Sequence, residues 1–189
     1  MKTLVLILVL ACAAQSQIKP SAQPCSLTVD QSPSVREFKL GETYLPRPRT
    51  SLSESTDGLL GYTSDANADI GVIREDLSNV LKESQRFEGI REIETTYLDG
   101  KLASFEIRYD GSTRWESSRH FAAAIAEQLH LPTTGWVNSY HPRLNCDGFF
   151  VEASVPLYPI LKIERTDLQS KIAARRAGVE QKKRADFKP

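Results

Sequence analysis

The sequence predicts an α+β domain: an antiparallel sheet of about four to five strands with helices on one face and a helix at the C-terminus. Three observations predict it. Apolar and polar residues alternate over Ile90 to Tyr109, with Asp99-Gly100 in the middle, the pattern of a hairpin with one buried face. Phe121, Ile125 and Leu129 recur at helical spacing and stop at Pro132. Leu168, Ile172, Arg175 and Val179 then form a narrow stripe on a basic C-terminal segment. Strand runs and helix runs are thus segregated rather than alternating, which favours α+β over a parallel sheet.

The chain divides into five segments. Residues 1–16 read as an export signal. Lys2 is followed by an apolar run from Thr3 to Ala11, and a bilayer span needs about 20 residues, so the run is too short to cross one. Small residues allow cleavage after Ala11-Cys12-Ala13 or after Ala14-Gln15-Ser16. Alternatively, Val9-Leu10-Ala11-Cys12 resembles the lipobox of bacterial lipoproteins and makes Cys12 the candidate lipidation site. A buried N-terminal segment is the remaining reading. No other stretch is apolar enough to span a membrane as a helix.

Residues 17–41 carry strand-like runs at Ser26–Val29 and Val35–Leu40, ended by Gly41. Residues 42–69 lack periodicity, contain Pro46 and Pro48, and read as a long loop or disordered linker. Residues 70–165 form the α+β core. It opens with a short strand at Ile70–Arg74 and a helical turn at Leu77, Val80 and Leu81, then the hairpin. A two-residue turn at Asp99-Gly100 sets Phe105 opposite Glu94 and mixes the faces. A three-residue loop with Gly100 left-handed sets Phe105 opposite Ile93, so the pattern predicts the longer loop. Ser117 or Ser118 caps the helix that follows. Leu144–Val155 reads as one strand, bulged at Asp147-Gly148, and Ile160–Ile163 as another. Residues 166–189 are the basic helix and tail, capped by Thr166 or Asp167.

Composition narrows the function. The chain has 24 Lys+Arg and 24 Asp+Glu, so no global field recruits nucleic acid. There are 3 cysteines, and removal or lipidation of Cys12 leaves Cys25 and Cys146. An even pair in an oxidising compartment suggests a disulfide, the alternative being two partly buried thiols. Neither a redox C-x-x-C, a G-x-S-x-G elbow, a phosphate loop nor a dinucleotide fingerprint is present. His120, His130 and His141 lack the spacing of metal ligands on one helix face. No cofactor or metal is implied. The Asp-Gly pairs at 57, 99, 110 and 147 lack the further oxygens of a calcium loop and read as turns.

Glu92, Glu94 and Glu106 fall on the polar face of the hairpin, where solvated acids are expected by default; catalysis would need His141 close to Glu92 or Glu106. Trp136, Tyr140 and His141 lie in an aromatic loop and form the candidate binding patch, if not drawn into the core.

The strings CSLTVDQSP, FKLG, YLDGKLASFEIRYDGSTRWES, HLP, LNCDGFFVEAS and RRAGVEQKKRADFKP resemble a family of uncharacterised exported bacterial proteins. The resemblance covers most of the chain beyond the signal, skips 42–69, and lends no catalytic residue. It implies that Cys25 and Cys146 are a paired feature. More distantly, FKLG after a signal is similar to the opening of small envelope lipoprotein modules, although Pro46 and Pro48 interrupt the helix that follows it in those modules.

The sequence therefore predicts an exported envelope protein, periplasmic or extracellular, that is non-enzymatic and binds an envelope protein or surface. It would have no transmembrane span and no nucleic-acid partner, with a lipid anchor as the alternative tether. The competing readings are a hydrolase using Glu and His on the sheet, and an inhibitor that inserts its 42–69 loop into an enzyme.

Overall fold

The computed structural model describes residues 25–43, 70–76 and 87–187, together with the backbone of Thr63–Asn67. Residues 1–24 with Cys12, the helical spacing at Leu77–Leu81, and most of 42–69 lie outside the described residues. The elements, in order, are strands β1 (Thr63–Asn67), β2 (Val72–Asp76), β3 (Ile90–Leu98) and β4 (Lys101–Tyr109), helix α1 (Ser118–Gln128), strands β5 (Trp136–Val137), β6 (Arg143–Asn145), β7 (Phe149–Ser154) and β8 (Ile160–Arg165), and helix α2 (Leu168–Asp186). All the strand pairs are antiparallel, in one sheet of order β1-β2-β3-β4-β8-β7-β6-β5.

The α+β class holds, but the described residues form eight strands in place of the expected four or five. The expected single strand Leu144–Val155 is a hairpin, with β6 and β7 folding back on each other through Asp147-Gly148. Gly148 has φ +81, which lets the chain reverse there. β5 adds an edge too short to show periodicity. Thr63–Asn67 within the 42–69 stretch pairs with β2. By contrast, Ser26–Val29 and Val35–Leu40 are not sheet strands. The first leads into one turn of 3-10 helix at Val29–Gln31, and Val35 and Phe38 exchange backbone hydrogen bonds across a two-residue turn.

The β3–β4 register corrects the predicted three-residue loop. Leu98 pairs with Lys101, so the turn is the two-residue Asp99-Gly100, and both residues have positive φ (52° and 69°). Positive φ at both central residues is the type I′ geometry, whose twist matches that of the strands. The face-mixing that this turn would cause is cancelled by a bulge. Tyr97 pairs with Leu102 but Thr96 pairs with Ser104, leaving Ala103 as the extra residue. Beyond it, Thr95 faces Phe105 and Ile93 faces Ile107.

One face of the sheet is therefore largely apolar, interrupted by the buried Thr95, whose hydroxyl donates to the Glu75 carboxylate (3.4 Å). Ile93, Phe105, Ile107, Leu161, Ile163, Val151, Ala153 and Leu144 are essentially inaccessible to solvent. Phe121, Ala122, Ile125 and Ala126 of α1 join this cluster, as do Cys25, Val35, Phe38 and Leu40 of the N-terminal segment. The Phe38 and Phe105 rings lie 5.9 Å apart. Ser117 caps α1 by accepting a hydrogen bond from His120 N (3.2 Å), while Ser118 Oγ accepts one from Val155 N (3.0 Å). α1 ends with His130 at φ 53 and Leu131 N donating to Ala126 O (2.8 Å), the hydrogen-bond pattern of a Schellman ending.

The helices do not share a face. Leu168 and Ile172 of α2 pack on a second cluster of Ile70, Val72, Leu98 and Ala103. Val72 and Leu98 have the opposite strand parity to Ile93, so α2 covers one end of the other face. Its stripe is as predicted: Leu168 and Ile172 are buried, Val179 is partly buried, and Arg175 bonds Ile70 O and the Asp99 carboxylate. Asp167 caps no backbone N–H; it pairs with Arg165 and Lys171. Those two cations hold its carboxyl below the ordinary carboxylate range, Lys171 most strongly. Among the described residues, no helix is long and apolar enough to cross a membrane.

Cys25 and Cys146 form a disulfide with a sequence separation of 121. It pins the N-terminal segment to the β6–β7 turn, where Asp147 N also donates to Leu27 O (2.9 Å). Closing a loop of this size restricts the unfolded chain by about 4–5 kcal/mol in the chain-entropy model. The Cys25→Ala/Cys146→Ala double variant is therefore expected to lose about 2–5 kcal/mol of unfolding free energy in urea denaturation, with reductant then having no further effect. A variant as stable as the oxidised parent would refute this role.

Candidate functional site

The face of the sheet opposite the core carries the charge. Strand pairing sets Asp76, Glu94, Glu106, Lys162, Glu152 and Arg143 side by side in one row across six strands. Alternation explains why they share a face: each lies one residue from a core position such as Ile93, Phe105, Ile163 or Val151. The next row places Thr96, Ser104, Glu164, Phe150 and Asn145 together.

Arg108 is the hub of the β3–β4 end. Its Nη1 donates to both oxygens of Glu92 (3.0 and 2.9 Å), and its Nε donates to Glu106 Oε1 (2.9 Å). Glu94 lies 4.0 Å from Nη2. Three carboxylates thus converge on one guanidinium. Partial desolvation of the half-exposed Glu94 side chain pushes its carboxyl above its ordinary value; Arg108 opposes this, and the like charges of Glu106 and Glu92 push the same way as desolvation. The two bonded glutamates raise Arg108 further, against the effect of its burial.

Further across the sheet, the buried Glu164 carboxylate accepts from Ser104 Oγ (3.1 Å) and pairs with Lys162 Nζ (3.0 Å). Arg143 stacks on Phe150, with its guanidinium carbon 3.4 Å from the ring centroid. This open face is a network of matched charges.

The residues singled out for binding lie at the β5 edge. Trp136 is half-buried, and its Nε1 donates to Pro132 O (2.9 Å). Tyr140 is 81% exposed, Val137 51%. His141 is exposed, with Nδ1 4.0 Å from Glu152 Oε1. Asn138, at φ 67, accepts from Tyr140 N (3.0 Å) and His141 N (3.4 Å), which fixes the backbone beneath both side chains. The structure thus brings Trp136, Tyr140 and His141 onto one short segment, with Trp136 turned inward.

The His141 pairing that a hydrolase would need is with Glu152 instead of Glu92 or Glu106, both of which are bonded to Arg108. Among the described residues no group of three or more His, Cys, Asp and Glu is placed to hold a metal ion. Sequence reasoning missed Arg108 as a hub, and the only signal for it was its position on the same face as the three glutamates. In comparisons with protein-family models, curated proteins and solved structures, none matches this chain.

The sign for Glu94 follows from its raised pKa. A carboxyl that holds its proton more tightly when folded opposes folding while ionised, and that penalty fades as pH falls through the folded pKa. Glu94→Gln is expected to be more stable than the parent at pH 7 in urea denaturation, with the gain shrinking on acidification. A gain that persists unchanged in acid, or a loss at pH 7, would contradict the burial and like-charge account.

Proposed function

We propose that this protein is an exported, non-enzymatic binding module of the cell envelope that engages an envelope protein through the β5–β6 edge. The observation that carries the reading is the presentation of Tyr140 and Val137. Two large apolar side chains stand exposed within one short segment whose backbone is held by Asn138. A preordered aromatic residue costs little entropy on binding and suits an interface anchor. His141 and Arg143 supply a polar rim. Export is supported by the basic-then-apolar start of the sequence and by the disulfide, which suits an oxidising compartment. The absence of catalysis is supported by Arg108 and Lys162 engaging Glu92, Glu106 and Glu164.

A photoreactive amino acid replacing Tyr140 tests this in cells. Position 140 is expected to yield a cross-link to another envelope protein that is lost in the Val137→Asp background. The same probe at Leu157, also exposed (86%), is expected to yield none. Cross-links only to a second copy of this chain, or identical products from both positions, would overturn the proposal.

A further inference from the structure

A cavity of about 250 Å³ lies between α1, the turn after β4 and the Val35–Phe38 turn. Three aromatic side chains form one side of it, and Glu88, Asp110, Ser112 and Thr113 also line it. Tyr109 meets Phe121 edge-on (centroids 5.9 Å, 80°), and Trp115 packs against the same ring at 5.2 Å. Ile125 continues the apolar wall, and Gln128 lies at its margin. These rings are where the chain must leave the sheet. Tyr109 ends β4, the Asp110 carboxylate accepts from Ser112 N (2.8 Å) to turn the backbone, and Trp115 returns toward α1.

Two hydrogen-bond donors also border the cavity. Arg36 sits at φ 58, in the first central position of the turn between Val35 and Phe38, where glycine is the usual residue. Its guanidinium, with five donors, makes one long hydrogen bond, to Glu88 O (3.5 Å), and no ion pair among the described residues. The half-buried Tyr109 makes no side-chain hydrogen bond among the described residues either, which leaves its hydroxyl free to donate into the cavity. Burial pushes the Tyr109 phenol above its usual value, with the charge of Arg36 opposing, so the hydroxyl stays protonated and able to donate at neutral pH.

We propose that this cavity is a binding site for a small aromatic monocarboxylate, with its ring against Tyr109, Trp115 and Phe121 and its carboxylate on Arg36 and the Tyr109 hydroxyl. An exposed guanidinium at the margin of a partly aromatic cleft favours a planar anion over a neutral ligand, because it offers a carboxylate charge-assisted, paired hydrogen bonds. Small-molecule sites commonly start at about 300 Å³, so this one limits the ligand to a single ring with a short side arm. The site uses none of the residues of the β5–β6 edge, so it stands or falls independently of the binding-module reading.

Phenylacetate is the probe, with phenylacetamide as its neutral counterpart. The chain has 2 tryptophans, so the Trp136→Phe variant leaves Trp115 as the sole indole reporter. Titration with phenylacetate is expected to change Trp115 fluorescence saturably, with Kd about 1 mM or tighter. The amide is expected to bind at least tenfold more weakly. Arg36 is exposed, so Arg36→Gln leaves the fold intact; it should reduce phenylacetate to the affinity of the amide without changing amide binding, and Arg36→Lys should restore part of the difference. Absence of a saturable signal, equal binding of acid and amide, or undiminished phenylacetate affinity in Arg36→Gln would each overturn the proposal.

Discussion

The structure depends on one extra residue. Ala103 is inserted into β4 just after a two-residue turn, and it shifts the pairing of Ser104 to Arg108 with β3, until the chain skips Arg91 and Ile90 pairs with Tyr109. Without the insertion the Asp99-Gly100 turn would carry Phe105 and Ile107 onto the face now held by Glu106 and Arg108. With it, β4 presents Phe105 and Ile107 to the core and the charged pair to the other side. β4 lies near the centre of the sheet, between β3 and β8, so its parity is inherited by the rows on both sides. Losing that register would expose two of the largest fully buried side chains and bury a carboxylate and a guanidinium, errors of several kcal/mol each.

The same insertion makes room for two separate helices. Ala103 belongs to the small cluster under α2, while Leu102 and Phe105 on either side belong to the main core under α1 and the N-terminal segment. The Arg175 bond to Asp99 fastens α2 to the turn itself. The disulfide then fixes the far edge, holding the N-terminal segment over the main core from the β6–β7 turn. Among the described residues no helix covers the charged rows between α2 and the β5 edge, and the cavity lies at the end of β4.

Much of this was legible in the sequence, for physical reasons that can be named. The alternation of β3 and β4 and the stripe of α2 are local, and each needs only its own period to be seen. The cysteine pair followed from counting, with Cys12 assigned to the expected export signal. The hairpin register was not legible, because a bulge looks like an error in alternation, and the sequence pattern favours the loop length that avoids it. Leu144–Val155 looked continuous because its apolar residues keep their spacing through the Asp147-Gly148 reversal. The candidate sites divide in the same way. Tyr140 and His141 stand in a loop, where exposure is the default. Alternation puts Glu92, Glu94, Glu106 and Arg108 on one face of the hairpin but does not show that one guanidinium gathers all three carboxylates, and the meeting of Arg36 with Tyr109 and Trp115 joins a distant segment that no local pattern encodes.

The register of the central hairpin is the measurement on which the account turns. Cross-strand nuclear Overhauser contacts between backbone protons of β3 and β4, in the protein labelled for NMR, read it directly. The bulged hairpin is expected to give contacts placing Phe105 opposite Thr95 and Ile107 opposite Ile93, with Leu98 opposite Lys101. Contacts placing Phe105 opposite Glu94, or opposite Ile93, would show a hairpin without the Ala103 insertion and would contradict it.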